Sequence, residues 1–492
     1  MKLYYILAFG TLLCSQLCSS ASAAMASEEP YNSGIVLRWK DCKQRIDGFG
    51  IAQAGWAKEL FAFKNREQVM DKMFGKDGLR LNILRGEIFP HYWENETDKD
   101  FNLNDDIHIE LSDSDFINKS DDLLRRGQLW LTLKAKNKYH ISKLVFSTWS
   151  APAWMKSNGK VSNGRLKTEC YTDFANYLAA FYNAYKSKGI APYAISPSNE
   201  PGYAAPWNSS LWKADEMGKF ITSYLGPTFR KENIPAKIIF GENPLWAVYM
   251  PQLKMVSSKD FTDTILQNYP EAKDFNLIAA GHGYSLSPDI MPIKVDKEYL
   301  KTAILPFEMA EKADIPVWIT EISDVNPLDI SIHDGLKWAV TFHNYLTKAN
   351  VSAIVWWGGA MPTANNESLI ILDKNRKDFL LSKRYDIFGN FSRYIPEEST
   401  RIQVTQSSGI PLLISAYKKD DEYTLVTINS SKQTIQTSLR LDGANINGLL
   451  KQYITNEDNS WTEMAIVQEN KEYYNLTIPP YSVVTFVGKV RL

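Results

Sequence analysis

The 492-residue chain carries 55 Lys and Arg against 56 Asp and Glu, a formal net charge of −1. It lacks the concentrated basic charge from which nucleic-acid binders draw their affinity, so no nucleic-acid partner is expected. Hydrophobic residues at 44% and charged residues at 23% are the balance of an ordered globular protein, long enough for two or three domains or one large barrel with an attachment.

Residues 1–24 start with Lys2, run through an apolar stretch from Leu3 to Leu13, and end in Ala21-Ser22-Ala23. These are the basic, apolar and A-x-A zones of a signal peptide, so a secreted or periplasmic protein is expected. A lipid-anchored form through Cys14 or Cys18 is the lesser alternative. The apolar stretch falls short of the ~20 residues that cross a bilayer, and no later run reaches that length, so no membrane span is expected. Residues 25–45 read as a linker and a first strand, 33–40 (SGIVLRWK). Beyond the leader only Cys42 and Cys170 remain, enough for one disulfide or two buried thiols. With no H-E-x-x-H, no phosphate-binding glycine loop and no G-x-S-x-G, no metal and no cofactor are expected.

From residue 46 to 395, short β-prone runs alternate with helix-compatible stretches. The runs are 46–54, 79–88, 141–150, 192–200, 236–243, 277–284, 316–323 and 352–359. Between them, 65–74, 171–188, 213–231 and 334–349 read as helices. In 171–188 the residues Phe174, Tyr177, Leu178, Phe181 and Tyr185 recur at steps of three and four, giving one apolar face. Eight strand–helix alternations without a glycine-rich phosphate turn predict an α/β fold, a (β/α)8 TIM barrel. Residues 396–492 change texture: short alternating segments such as 412–417, 422–428 and 482–487 lie between turn residues and predict a β-sandwich that 33–40 joins. The absence of a flexible linker predicts a rigid pair of domains, and a monomer is expected.

Polar and aromatic residues gather at the C-terminal ends of the runs, the rim that carries the active site in such barrels. They are Arg85 and Glu87, Trp149, Asn199 and Glu200, Glu242, His282 and Tyr284, Glu321, Trp356 and Trp357. Closing the barrel brings the ends of the fourth and seventh runs to one cleft, so Glu200 and Glu321 can act as a pair. Paired carboxylates are what glycoside hydrolysis needs: one protonates the leaving oxygen, the other attacks or stabilises the cationic sugar carbon. Pro201 is expected to hold Glu200 extended and so aim it. With aromatic residues at 12% of the chain, stacking platforms for sugar rings are available.

Five stretches carry a family resemblance: Ile46-Asp47-Gly48-Phe49-Gly50, Ser147 to Lys156 (STWSAPAWMK), Ser198-Asn199-Glu200-Pro201, Thr320-Glu321, and Ser382-Lys383-Arg384-Tyr385 leading to Phe391-Ser392-Arg393-Tyr394-Ile395. The chain from about residue 35 onward resembles glycoside hydrolase family 30. That resemblance implies a barrel with a side β-sandwich built from both chain ends, and hydrolysis with retention, with Glu200 as acid/base and Glu321 as nucleophile. It also implies that Asn199 bonds the sugar 2-hydroxyl, that Arg85 and Tyr284 support the nucleophile, and that Trp149, Trp154 and Trp357 are stacking platforms. Trp207 and Trp212, in the loop after Glu200, are expected to line a subsite. An ionised Glu321 is expected to keep Glu200 protonated.

The implied substrate is a β-linked polysaccharide or oligosaccharide. The Trp-Ser-x-Pro-Ala-Trp-Met-Lys stretch resembles the xylan-cleaving branches. Family members that require a glucuronic-acid branch place an Arg in the loop after the eighth strand, whereas Gly358 to Asp373 contains no Arg or Lys. A xylan or related hemicellulose without an obligatory acidic branch is therefore expected, with β-1,6-glucan or β-1,6-galactan as the alternative. A non-catalytic carbohydrate-binding protein is the alternative of another class.

Overall fold

A computed structural model describes residues 34–93, 96–97, 123–247, 256–284, 304–373, 375, 377–467 and 472–491. The expected leader falls outside the described residues. Strand β1 (Ile35–Arg45) is followed by eight strands, one inside each predicted run: β2 (Gly48–Ala52), β3 (Ile83–Ile88), β4 (Lys143–Thr148), β5 (Ala194–Ser196), β6 (Lys237–Asn243), β7 (Leu277–His282), β8 (Val317–Glu321) and β9 (Ala353–Trp357). They close, in sequence order and parallel, into a barrel.

Both faces of each strand are buried and their lower halves are mainly apolar, which is why the runs do not read as alternating. Ala52, Ile83, Val145, Ala194, Ile239, Ile278, Ala280, Trp318, Ala353 and Val355 fill the barrel interior. Their neighbours Leu84, Phe146, Ile195, Ile238, Phe240, Leu277, Ile319 and Ile354 face the helices. Helix Tyr171–Ser187 buries the five residues its periodicity singles out. The expected helix 213–231 is instead Ala214–Phe220 and Gly226–Lys231 joined by a π turn at Ile221–Leu225. The widened turn precedes Pro227, which has no N–H to continue the ladder.

The Asp47-Gly48 pair closes the lower end of the barrel. Gly48 has φ +137°, and a Cβ there would meet the Asn82 amide at 1.9 Å. That amide accepts from the Phe49 N–H and donates to the Asp47 carbonyl, each at 2.9 Å. Trp318 Nε1 donates to Asp47 Oδ2 at 2.7 Å.

Three short strands follow the barrel: β10 (Ala360–Met361), β11 (Ile370–Leu372) and β12 (Phe379–Leu381). The C-terminal region supplies β13 (Thr400–Gln406), β14 (Leu413–Lys419), β15 (Glu422–Asn429), β16 (Ile435–Asp442), β17 (Asn445–Thr455), β18 (Thr462–Glu463), β19 (Tyr474–Ile478) and β20 (Ser482–Arg491). With β1 they form one nine-stranded sheet, ordered β18-β17-β20-β15-β14-β13-β1-β16-β19. Its core includes Ile35, Leu37, Trp39, Leu425, Leu439 and Phe486. β1 thus joins the C-terminal strands as expected, antiparallel to β13 and parallel to β16. The sheet is fastened to the barrel through helix Lys383–Ser392: Asn390 Nδ2 donates to Thr485 Oγ1 at 3.1 Å, and Trp461 Nε1 donates to the Asp386 carbonyl at 2.5 Å. Cys42 is exposed, Cys170 is buried, and both are free thiols, so the disulfide alternative and the paired burial both fall.

Candidate active site

The inward parity of each strand decides which residues reach the cleft. Ile83 faces the interior, so Arg85 and Glu87 follow it up the same face. Val145 leads to Ser147 and Trp149, Ala280 to His282 and Tyr284, and Val355 to Trp357. Glu242 and Glu321 break this parity, and the strand pairing shows how. Between Gly241 and Asn243 the β6–β7 register slips, and between Gly281 and His282 the β7–β8 register slips. Each slip is a bulge, which turns a residue that strict alternation would point at the helices. Glu242 takes φ +38° there.

At the centre lies Arg85, fully buried. Its Nη1 donates to Glu321 Oε1 at 2.5 Å, and its Nη2 donates to Asn199 Oδ1 at 2.7 Å and Glu242 Oε1 at 3.0 Å. Nε donates to Ser147 Oγ at 3.2 Å, and Ser147 and Ser196 hydroxyls both donate to Glu242 Oε2. Burial works to raise Glu242, but the Arg85 charge and the Ser196 hydroxyl outweigh it and hold this carboxyl below its ordinary range. The second oxygen of Glu321 accepts from Tyr284 Oη at 2.7 Å. Burial, then the charges of Glu321 and Glu200, push the Tyr284 phenol well above its ordinary value, so it remains a donor.

Glu200 stands three strands round the barrel from Glu321. His282 Nδ1 lies 3.1 Å from Glu200 Oε1 and 3.4 Å from Glu321 Oε2. One donor atom from each of the three lies within 4.8 Å of the others. Burial pushes Glu200 up to about 8; Arg85 opposes this and Glu242 adds to it. Sequence reasoning looked to the Glu321 charge for this work; desolvation is the larger cause, and the Glu242 charge adds to it. Burial lowers His282, with Arg85 adding to it and the charges of Glu321 and Glu242 opposing, so the imidazole is neutral near pH 7. The expectation of an extended Glu200 is also corrected. Its φ is +48°, because its N–H is tied to the Glu242 carbonyl at 3.0 Å while Asn199 N–H is tied to Thr148. Such a left-handed residue is strained and persists only where its surroundings over-determine it.

Glu200, His282 and Glu321 are also the one grouping with a metal-type donor set among the described residues. Both oxygens of Glu321 already accept from Arg85 and Tyr284, which favours an oriented carboxylate over a metal ligand.

The aromatic residues divide. Trp149 is buried, with the Arg85 guanidinium 4.8 Å from its ring and Trp357 6.1 Å away. Trp357 is partly exposed, and its Nε1 donates to Glu367 Oε1 at 2.8 Å. Trp154 donates to the Trp93 carbonyl at 3.3 Å and packs on the barrel–helix core. Trp207 is 55% exposed beside Tyr203. The expectation that Trp212 lines a subsite fails: it is buried among Tyr171, Phe174 and Phe220, because its apolar bulk fills the gap below the loop. Glu242, His282, Ser147 and Ser196 were given no role by sequence reasoning. Glu242 and His282 were visible only as polar strand ends, Ser147 only as the first residue of the STWSAPAWMK stretch, and Ser196 gave no signal.

The sequence profile described as O-Glycosyl hydrolase family 30 matches residues 34–371. The chain belongs to this family. It is a hydrolase of glycosidic bonds, and family 30 is a family of retaining enzymes. Glucuronoxylanase XynC of Bacillus subtilis (strain 168) is 24% identical over 97% of this chain and 96% of its own. Among solved structures, the catalytic domain of the GH30 xylanase C from Talaromyces cellulolyticus shares the fold with a TM-score of 0.75, at 21% identity over 92% of this chain and 99% of that one. An endo-β1,6-glucanase shares it with a TM-score of 0.68, at 17% identity over 93% and 94%.

Proposed function

We propose that this family 30 hydrolase cleaves a β-linked polysaccharide by double displacement, with Glu321 as nucleophile and Glu200 as acid/base. The observation that carries the reading is the pair itself: oxygens of the two carboxyls within 4.8 Å, one just beyond β5 and the other at the end of β8, in one buried cluster. Retaining glycosidases need a separation of about 5 Å, whereas inverting ones leave room for a water.

In the first step a Glu321 oxygen attacks the anomeric carbon while the bond to the leaving oxygen breaks, and that oxygen takes the proton of Glu200. Burial keeps that proton in place near neutral pH. Arg85 and Tyr284 hold both oxygens of Glu321, which fixes its direction of attack. Forming the ester removes the Glu321 charge. In the second step Glu200, now a carboxylate, takes a proton from water as the water oxygen bonds to the anomeric carbon and the ester bond breaks. Asn199, whose carbonyl is held by Arg85, turns its NH2 to a sugar hydroxyl.

Xylan or a related hemicellulose is the preferred substrate, supported by the full-length similarity to a glucuronoxylanase and the fold shared with a xylanase. The fold shared with an endo-β1,6-glucanase supports the second reading, a β-1,6-glucan. The signal-like segment 1–24 supports action outside the cytoplasm. Among the described residues, no helix is long and apolar enough to cross a membrane. The test is a panel of xylan, glucuronoxylan, β-1,6-glucan and β-1,6-galactan, with products sized by mass spectrometry and the first-released anomer read by NMR. A β anomer supports the reading; an α anomer overturns double displacement, and no release from any polymer overturns the function.

A further inference from the structure

The resting site is electrically lopsided. Arg85 is the cation at its centre, and its charge is already met by Glu242 and Glu321 at 3.0 and 2.5 Å. Lys156, after β4, is buried and engaged, its Nζ donating to Ser150 Oγ at 3.1 Å and the Ser209 carbonyl at 2.6 Å. One further carboxylate, Glu367, stands at the mouth with no cationic contact among the described residues. Glu367 accepts from Trp357 Nε1 at 2.8 Å and from Asn365 Nδ2 at 3.5 Å, and its charge is felt at Tyr284. It is partly exposed, so it meets whatever lies on Trp357. Glu87 sits one step above Arg85 on the inner face of β3, hydrogen-bonded to the Asn208 side chain of the loop after Glu200. Burial pushes Glu87 up to about 8 against the pull of Asn208 and Arg85, so it stands neutral near pH 7.

We infer that this cleft selects uncharged glycans and turns away chains carrying uronic-acid or other anionic groups, with Glu367 as the specificity-determining residue. Resting on the hydrolase reading above, this narrows its substrate class. Glu367 is suited to the part because its hydrogen bond to Trp357 fixes one carboxylate oxygen on the sugar platform. A glycan carboxylate beside it finds a like charge. Glu87, on the wall formed with Asn208, offers hydrogen bonds to neutral hydroxyls and no positive charge.

The test uses the neutral polymer on which the panel finds most activity, its lightly carboxymethylated derivative, and a hydroxyethylated derivative as a control for bulk. The wild-type kcat/KM should be about tenfold lower on the carboxymethylated than on the hydroxyethylated polymer at low salt, the size of one like-charge contact that stays largely hydrated. The gap should shrink to about twofold in ~0.5 M NaCl, where such contacts are screened. In Glu367→Gln, which keeps an acceptor for Trp357, the low-salt gap should fall at least threefold. Equal rates on the two derivatives, a gap that ignores salt, or one that Glu367→Gln leaves intact would each overturn the inference while the hydrolase reading stands. Failure to hydrolyse any polymer would instead remove the hydrolase reading, and this inference with it.

Discussion

Replacing Glu242 with Gln tests how the proton on Glu200 is held. Glu242 is buried, tied to Arg85, and linked through its carbonyl to the Glu200 N–H, so its charge sits close to Glu200 without touching it. Two carboxylates roughly 7 Å apart at an effective dielectric constant of about 20 repel by about 2 kcal/mol. At 1.36 kcal/mol per pH unit, removing that charge should lower the Glu200 pKa by between one and two units from about 8. The Arg85 charge, freed from one partner, pulls in the same direction. A general acid works while protonated, so activity is present below its pKa and lost above it. The alkaline limb of kcat/KM should therefore move from near pH 8 to between about pH 6 and 7, with the acid limb far less affected. The assay is a pH profile on an aryl glycoside or the best polymer, with Glu242→Ala as a second variant and Tm recorded for both. An alkaline limb that stays in place in folded Glu242→Gln refutes the electrostatic account and leaves desolvation alone.

Glu200→Gln and Glu321→Gln should each lower kcat by a factor of about 10³ or more while keeping affinity for the glycan by calorimetry; unchanged turnover in either sinks the assignment. Burial raises Glu200 from an ordinary 4.5 to about 8 in the folded chain. The stability tied to its proton is whole below pH 4.5 and lost as pH climbs to 8. Glu200→Gln should then raise Tm relative to wild type at pH 8, by an amount worth a few kcal/mol, and not at pH 4.5; an equal gap at both pH values contradicts this. Arg85→Met should unfold or strongly destabilise the protein, by about 3–5 kcal/mol in denaturant titrations, because Glu242 and Glu321 would be left buried and uncompensated; a loss under 1 kcal/mol would show that water reaches the site. Trp357→Ala should raise KM more than it lowers kcat, whereas Trp149→Ala, which removes packing beneath Arg85, should lower Tm and kcat; the opposite split would reverse their roles.

The strand runs, their order and the apolar filling of both barrel faces were legible because each run of buried residues has to sit between two layers, and eight such runs separated by helices have few other ways to close. Glu200 and Glu321 were legible as polar ends of strands that a barrel must bring to one rim. What the sequence could not show is where alternation fails. Parity from Trp318 points Thr320, not Glu321, at the cleft, and parity from Ile239 passes over Glu242; two bulges reverse both. Bulges arise from the fit of one strand against its neighbour, and no single strand records them. For the same reason Glu200 takes a left-handed backbone that Pro201 alone argues against, and Trp212 fills a gap between helices rather than facing sugar. The proton on Glu200 likewise comes from burial and from Glu242, contributed by β6, the next strand after β5 round the barrel: a carboxyl's chemistry is written in its side chain, but its pKa is set by what the fold removes from around it and what it brings near.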